Sequence, residues 1–289
     1  MNDPILNQPD NSNTRTRLFN EWLFLRIYVG KGDCTDEALL LAYEWLSTFI
    51  ESNQIDRWYF LRYIDNHGHH LRLRIRSDAD TIDELYSKIP HLEKSVLDIK
   101  AREVSRIISD PLTTISGGRH GIALGVYSPE IAKYGGKAGV DSAEKHFETS
   151  SVWCIQNKVW TLTEQRERMT LAARYLALVF SSLGDNSTRT IELEHTKRWA
   201  QRLPAKLRNN KSALERLVYT ILNQEARYMD FNLIYNSMIS CSNYLPTKDK
   251  SNRRTQRILD LVHMDMNRFG LNIPEECAAG IAARFLNSN

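Results

Sequence analysis

Leu71-Arg72-Leu73-Arg74-Ile75-Arg76 places an arginine at every second position between apolar residues. Strand side chains alternate between faces, so this period of two puts three guanidiniums on one face and Leu71, Leu73 and Ile75 on the other. Guanidinium stays charged at any working pH and grips carboxylate or phosphate through a planar fork, so a clustered set points to an anion. An exposed edge strand carrying solubilising charge has the same pattern. Immediately before it, Asp65-Asn66-His67-Gly68 is turn chemistry, and Arg57 to Ile64 is dense in aromatic residues. Two strands joined by such a turn make a hairpin.

Trp22 to Val29 reads as a further strand, and Gly30 to Asp33 as a turn after it. Thr35 to Ser52 opens with Asp36 and Glu37 and then spaces Leu39, Ala42, Trp45, Leu46, Phe49 and Ile50 at helical intervals. A short helix is expected over Thr81 to Lys88, ending before Pro90, and a strand over Gly121 to Tyr127. Beyond Gly135-Gly136 strand signals become few. Asp141 with Glu144 and Ser212 with Glu215 have capping-pair spacing and are expected to open helices. Others are expected over Glu164 to Ser182, Ile191 to Arg202 and Asn252 to Phe269, with Pro274 near the start of a last one. Gly184 to Ser187 and Leu245 to Ser251 read as loops, and no internal repeat is present. The pattern predicts an α+β fold, with an antiparallel sheet packed with helices in the N-terminal half and a mostly helical C-terminal half. Residues 1–18 are expected to be a flexible segment ahead of one domain over 19–289.

The net charge of +3 over 289 residues is small, so any charge argument is local. Cys34, Cys154, Cys241 and Cys277 lie far apart, with no paired His spacing, which argues against structural zinc and a disulfide framework and fits a reducing cytosol. The N-terminal segment has no apolar core for a secretory signal, and the most apolar run, Leu171 to Phe180, is too short for a bilayer. A soluble, cytoplasmic protein is expected.

Two more constellations carry candidate chemistry. In Tyr127-Ser128-Pro129-Glu130-Ile131-Ala132-Lys133-Tyr134-Gly135-Gly136, a helical turn opened by Pro129 puts Glu130 and Lys133 on one face. A surface ion pair explains the same spacing. In Leu261-Val262-His263-Met264-Asp265-Met266-Asn267-Arg268-Phe269, His263 and Asn267 are one helical turn apart. Histidine moves protons near neutral pH, and Asn267 could orient it or the substrate; a structural histidine is the bland alternative. His67, His69 and His70 cluster at the hairpin turn with no carboxylate at metal-ligand spacing. No Gly-rich phosphate loop, serine elbow or cysteine nucleophile signature is present.

Together these segments resemble the C-terminal domain of class I lanthipeptide dehydratases, which also occurs alone in thiopeptide clusters. The matching residues are Trp58-Tyr59-Phe60-Leu61-Arg62-Tyr63 leading into His70-Leu71-Arg72-Leu73-Arg74, then Tyr127 and Glu130 through Tyr134-Gly135-Gly136, then His263-Met264 with Asn267-Arg268. The resemblance implies an enzyme that removes glutamate from a peptide Ser or Thr, esterified by a separate glutamylation protein using glutamyl-tRNA, to leave dehydroalanine or dehydrobutyrine. It implies catalytic roles for Arg72, Arg74 and His263 and substrate binding by Glu130 and Lys133. Lys133 departs from the family's usual arginine, which keeps the charge and loses the fork. Such an elimination takes a proton from Cα and expels a carboxylate, so it needs a base and cations and requires no metal or organic cofactor. The implied partners are a ribosomal precursor peptide and the glutamylation protein.

Two other functions share this resemblance or these residues. Stand-alone relatives join two dehydroalanines in a formal 4+2 cycloaddition to a pyridine, and retention of Arg72, Arg74, Glu130 and His263 favours elimination over it. A non-catalytic subunit binding peptide or RNA is the other. Aromatic residues and arginines on a sheet can hold single-stranded RNA, yet the basic-Gly-aromatic strand motif is absent and the charge is near balance, so direct nucleic-acid binding is not expected.

Overall fold

The arginine-bearing strand is central to a four-stranded antiparallel sheet with the order β2-β3-β1-β4. The strands are β1 (Glu21–Val29), β2 (Arg57–Asp65), β3 (Gly68–Ser77) and β4 (His120–Gly125). The computed structural model describes residues 21–30, 33–100, 105–110, 118–182, 185–225, 227–243 and 250–288, so the expected N-terminal flexible segment lies outside the described residues. Helices α1 (Thr35–Glu51) and α2 (Ala79–Leu97) accompany the sheet. Among the described residues eight more follow: α3 (Lys137–Gln156), α4 (Gln165–Ser181), α5 (Asp185–Trp199), α6 (Ala205–Arg208), α7 (Lys211–Leu222), α8 (Asn232–Ser242), α9 (Lys250–Phe269) and α10 (Ile273–Ser288). This is the expected α+β architecture.

Register separates the two faces of the sheet. Arg72, Arg74 and Arg76 sit opposite Arg26, Phe24 and Trp22 of β1 and opposite Leu61, Tyr59 and Arg57 of β2. The other face carries Leu71, Leu73 and Ile75 beside Leu23, Leu25, Ile27, Trp58 and Phe60, all buried. That apolar face packs on α1, where Tyr43 lies 5.8 Å from the Trp58 ring. The arginine face receives α3, with Phe147 at 5.4 Å from Tyr59.

The outer edge of β2 is closed by side chains rather than by another strand. Its amides at Trp58, Phe60 and Arg62 donate to Glu148 Oε1, Ser151 Oγ and Asn267 Oδ1 at 3.3, 3.2 and 2.8 Å. The Asn267 amide also donates to the Arg62 carbonyl at 2.7 Å. Helices α3 and α9 are thereby fixed to the sheet by hydrogen bonds that would otherwise be open to a foreign strand.

Several local expectations are corrected. Helix α2 does not stop before Pro90 but runs through it to Leu97. An interior proline costs roughly 3 kcal/mol. Continuing the helix buries Leu92 and Val96 alongside Ile82 and Leu85, and each such burial contributes about 1.5–3 kcal/mol. Helix α3 begins at Lys137, directly after Gly136 at φ 103°, and not at the Asp141-Glu144 pair, whose carboxylates instead reach across to Arg57 on β2 at 2.7 and 3.3 Å. The start of α7 is capped by Asn210, whose side chain accepts from the Ala213 amide, so Ser212 lies inside the helix. Helix α5 starts at Asp185, earlier than expected, and takes in part of the predicted 184–187 loop. Of the expected 245–251 loop, Lys250 and Ser251 open α9 and the rest lies outside the described residues. Helix α8 was not foreseen, and Tyr127 lies past the end of β4.

The run Leu171 to Phe180 falls inside α4, with its apolar side chains almost all in the core. Among the described residues no helix is long and apolar enough to cross a membrane. All four cysteines are buried thiols.

Candidate functional site

A cleft of about 410 Å³ opens on the arginine face, between β2 and β3, the 127–134 segment, α3 and α9. Arg72, Arg74, Glu130, Lys133 and His263 all line it. Three stretches far apart in sequence thus converge on one cavity, within the size range of small-molecule sites.

The strand period aims Arg72 and Arg74 into this space, and their partners are neutral. Arg74 Nη1 donates to Tyr59 Oη at 3.1 Å, and its guanidinium lies 4.8 and 5.1 Å from the Tyr127 and Phe24 rings. Its Nε is buried without a hydrogen-bond partner. The Arg72 guanidinium stacks 3.3 Å from the Tyr63 ring centroid, and its Nε donates to His70 Nε2 at 3.3 Å. His70 receives that bond because its Nδ1 faces the Gly68 carbonyl at 3.2 Å and so carries the proton. Burial pushes the His70 pKa down to about 4, so the imidazole is neutral near pH 7. Burial also lowers the pKa of Arg72, and the charges of Arg74 and Arg26 add to the effect. Among the described residues no carboxylate lies within ion-pair distance of either cleft arginine.

Arg76, the third of the triplet, is different. It pairs with Asp56 and lies 3.7 and 3.9 Å from Asp141 and Glu144, so it belongs to a structural ion-pair cluster and not to the cleft. Arg57 completes that cluster through Asp141, Glu144 and Glu148. Glu144 also accepts from the Tyr127 hydroxyl. Burial raises the Tyr127 pKa far above its ordinary value, with Tyr59 and Glu144 adding to it, which keeps the phenol protonated.

Glu130 and Lys133 pair at 3.1 Å on a hydrogen-bonded turn, not on a helix. The turn is closed by Tyr134 N–H to the Glu130 carbonyl and Gly136 N–H to the Ile131 carbonyl, at 3.1 and 2.9 Å. Gly135 and Gly136 have φ of 74° and 103°, conformations only glycine adopts without strain. Tyr134 is buried against Phe147 and Arg257, anchoring the turn to α3 and α9. The Glu130–Lys133 pair is the more exposed part of the cleft, so solvent screens it and an incoming carboxylate competes with it readily.

Across the cleft, His263 Nδ1 lies 2.7 Å from Glu276 Oε2 at the start of α10. Trp199 of α5 stacks on the imidazole at 4.8 Å and donates its Nε1–H to Glu276 Oε1 at 2.9 Å. Asn267 also lines the cleft, but both polar atoms of its side chain are taken by the Arg62 backbone, so it anchors β2 and does not orient His263. Tyr127 in the cleft wall, and Tyr59 and Glu276, which hold Arg74 and His263 from behind it, are residues that the sequence reading left without a role. The first two carried the signal of aromatic residues sharing the arginine face or preceding Glu130; Glu276 carried none beyond lying in the first turn of a helix.

Among the described residues no group of three or more His, Cys, Asp and Glu side chains is arranged to hold a metal. His67 and His69 each lie near one aspartate, Asp65 at 3.7 Å and Asp33 at 3.8 Å.

Comparison with the curated proteins finds no match. Among solved structures, the fold is similar to the tRNA-dependent lantibiotic dehydratase MibB from Microbispora sp. 107891, with TM-score 0.58 and 19% identity over 92% of this chain. The chain spans only 28% of that dehydratase. It is also similar to TbtD, a pyridine synthase from thiomuracin biosynthesis, with TM-score 0.59 and 15% identity, covering 92% of this chain and 99% of that one. At such identities these likenesses establish the fold. The family described as lantibiotic biosynthesis dehydratase C-term matches residues 22–286, from the first strand to the last helix, and the chain therefore belongs to that family.

Proposed function

We propose that this protein, acting as one domain over residues 19–289, eliminates glutamate from glutamylated Ser or Thr of a ribosomal precursor peptide, leaving dehydroalanine or dehydrobutyrine. The observation that carries this reading is the pair of cleft arginines held only by neutral groups. A half-buried guanidinium with no anion beside it is poorly compensated, and a carboxylate-bearing substrate supplies the missing partner. His263 takes the Cα proton, that C–H pair becomes the Cα–Cβ double bond, and the Cβ–O pair leaves with the glutamate carboxylate. Arg72 and Arg74 stabilise the negative charge that develops, while Lys133 and Glu130 hold the glutamyl part at the open rim. A separate glutamylation protein supplies the ester, which places the reaction in the cytoplasm, and no metal or organic cofactor enters the scheme.

A second reading, formal 4+2 cycloaddition of two dehydroalanines to a pyridine, is supported by the similarity along 99% of the pyridine synthase chain. Incubation of the purified protein with a glutamylated precursor peptide separates the two by mass. Loss of glutamate is expected, with Arg72→Met or Arg74→Met slowing it about 10²–10³-fold, as for loss of one preorganised charge-stabilising donor. No loss on a substrate validated with another dehydratase, or pyridine formation with leader release from a dehydroalanine peptide, refutes the elimination reading.

A further inference from the structure

The side of His263 turned away from the cleft leads to a carboxylate that has no place in the scheme above. Glu276 is only 1% exposed, a burial that ionised side chains tolerate only with dedicated partners. Three nitrogens surround it: His263 Nδ1 at 2.7 Å, Trp199 Nε1 at 2.9 Å and His195 Nε2 at 3.5 Å. His195 is itself sealed in the core, against α10 at Gly280, where an added Cβ would stand 2.4 Å from the imidazole. The start of α10 is fixed by a reciprocal cap: Asn272 Oδ1 accepts from the Glu275 amide, and Glu275 Oε2 accepts from the Asn272 amide, at 2.9 and 3.1 Å. Glu276 is therefore held by the helix start, by two rings of α5 and by the histidine of α9.

We propose that Glu276 is a positioning residue for His263, fixing its tautomer and ring orientation so that Nε2 meets the substrate as the proton-accepting atom. An ionised carboxylate only accepts hydrogen bonds, so the proton of neutral His263 resides on Nδ1 and the lone pair on Nε2. When Nε2 takes the Cα proton, the imidazolium forms against an existing carboxylate, and no group has to move to stabilise it. The arrangement fits an ionised Glu276: burial alone raises its pKa, yet His263 and His195 together bring it down to about 2. Other charges around the imidazole are the Arg198–Asp260 pair beside Trp199 and, in the cleft, the cations Arg62, Arg72, Arg74 and Lys133 with the carboxylates Glu130 and Glu144. The role rests on the elimination reading for its chemistry, while the tautomer and the charge coupling stand independently of the reaction.

The test follows Glu276→Gln in the full-length chain by two routes. On a precursor peptide with a preinstalled glutamyl ester, kcat is expected to fall about 10²-fold or more with KM within about twofold, and the pH–rate profile to shift to lower pH. By NMR of ring-labelled histidine, the Nδ1–H tautomer of neutral His263 is expected to dominate in wild type and no longer to dominate in the variant. An unchanged His263 tautomer together with a rate within threefold of wild type overturns the proposal. If wild type itself releases no glutamate, the elimination reading has failed, and the NMR route still decides the assignment of Glu276. Should Glu276→Gln not fold, Glu276→Asp takes its place, keeping the charge but withdrawing it by one methylene. A smaller shift in the same direction is expected, and identity with wild type in both routes overturns the assignment.

Discussion

Asn267→Ala is expected to destabilise the protein by about 2–3 kcal/mol, although the residue stands on the rim of the cleft. Its carboxamide accepts from the Arg62 amide at 2.8 Å and donates to the Arg62 carbonyl at 2.7 Å. Truncation leaves both backbone groups, at a partly buried sheet edge under α9, without protein partners. A buried polar group deprived of its partner costs about 1–3 kcal/mol. Two such groups sum to about 2–6 kcal/mol, and access to replacement water brings the loss to the lowest quarter of that range. For a chain of this size, that corresponds to a fall in Tm of roughly 3–5 °C. Asn267→Asp is the sharper control. It keeps an acceptor for the Arg62 amide but sets a carboxylate oxygen against the Arg62 carbonyl, so its loss is expected to equal or exceed that of the alanine variant. Urea unfolding followed by far-UV circular dichroism, with m unchanged, measures both. An alanine variant within 0.5 kcal/mol of wild type, or an aspartate variant as stable as wild type, would falsify the anchoring role and return Asn267 to the substrate.

Gly139→Ala places a Cβ 1.7 Å from the Tyr134 carbonyl oxygen, and since that atom is backbone, the turn holding Glu130 and Lys133 has to move. A loss of about 1–3 kcal/mol is expected, with weakened binding of a glutamylated peptide; an alanine variant of wild-type Tm and affinity refutes the close packing. Glu276 has its pKa depressed from an ordinary 4.5 to about 2, so its contribution to stability is complete above pH 4.5 and is lost as pH falls toward 2. The stability difference between wild type and Glu276→Gln is therefore expected to shrink across that window in acid-unfolding curves, and parallel curves from pH 5 to 2.5 contradict it.

Local rules made much of the sheet legible and left the long-range contacts hidden. The alternation in Leu71 to Arg76 and the turn at Asp65 to Gly68 are governed by neighbours in sequence, and the hairpin they predict is β2–β3. Position of β1 between β3 and β4 depends on pairing over much longer separations, to which no local pattern speaks. Asp141 and Glu144 have the spacing of a helix start, but the same spacing places both carboxylates over Arg57, 84 and 87 residues earlier in the chain. By its backbone chemistry alone Pro90 would break the helix, whereas its ring sits on the exposed side and the buried face runs past it from Ile82 and Leu85 to Leu92 and Val96. Of the cleft lining, Arg72, Arg74 and His263 stand on elements with a clear period, which is what made them legible as candidates. Glu276 was missed because acidic residues are ordinary in a helix's first turn, and only the fold reveals that this one is buried beneath His263.

One face of the sheet carries arginines of two kinds, and the difference lies in what surrounds them. Arg57 and Arg76, at one end, are matched by Asp56, Asp141, Glu144 and Glu148, so their charge is spent on joining α3 to the sheet. Two and four residues earlier on β3, Arg74 and Arg72 are held by a phenol, by aromatic faces and by an imidazole kept neutral by burial. These groups fix the guanidiniums in place without neutralising them. Aromatic faces attract a cation yet leave its N–H edges directed outward, and a neutral His70 accepts one bond at Arg72 without adding a negative charge. A cation so held needs no reorganisation when an anion arrives, which is the condition under which fixed charges lower a barrier most. The reverse exchange shows what is at stake. An acidic residue at Tyr59 or Tyr63 would pair with the cleft arginines and remove the unmet charge that the proposed elimination assigns to the carboxylate leaving group.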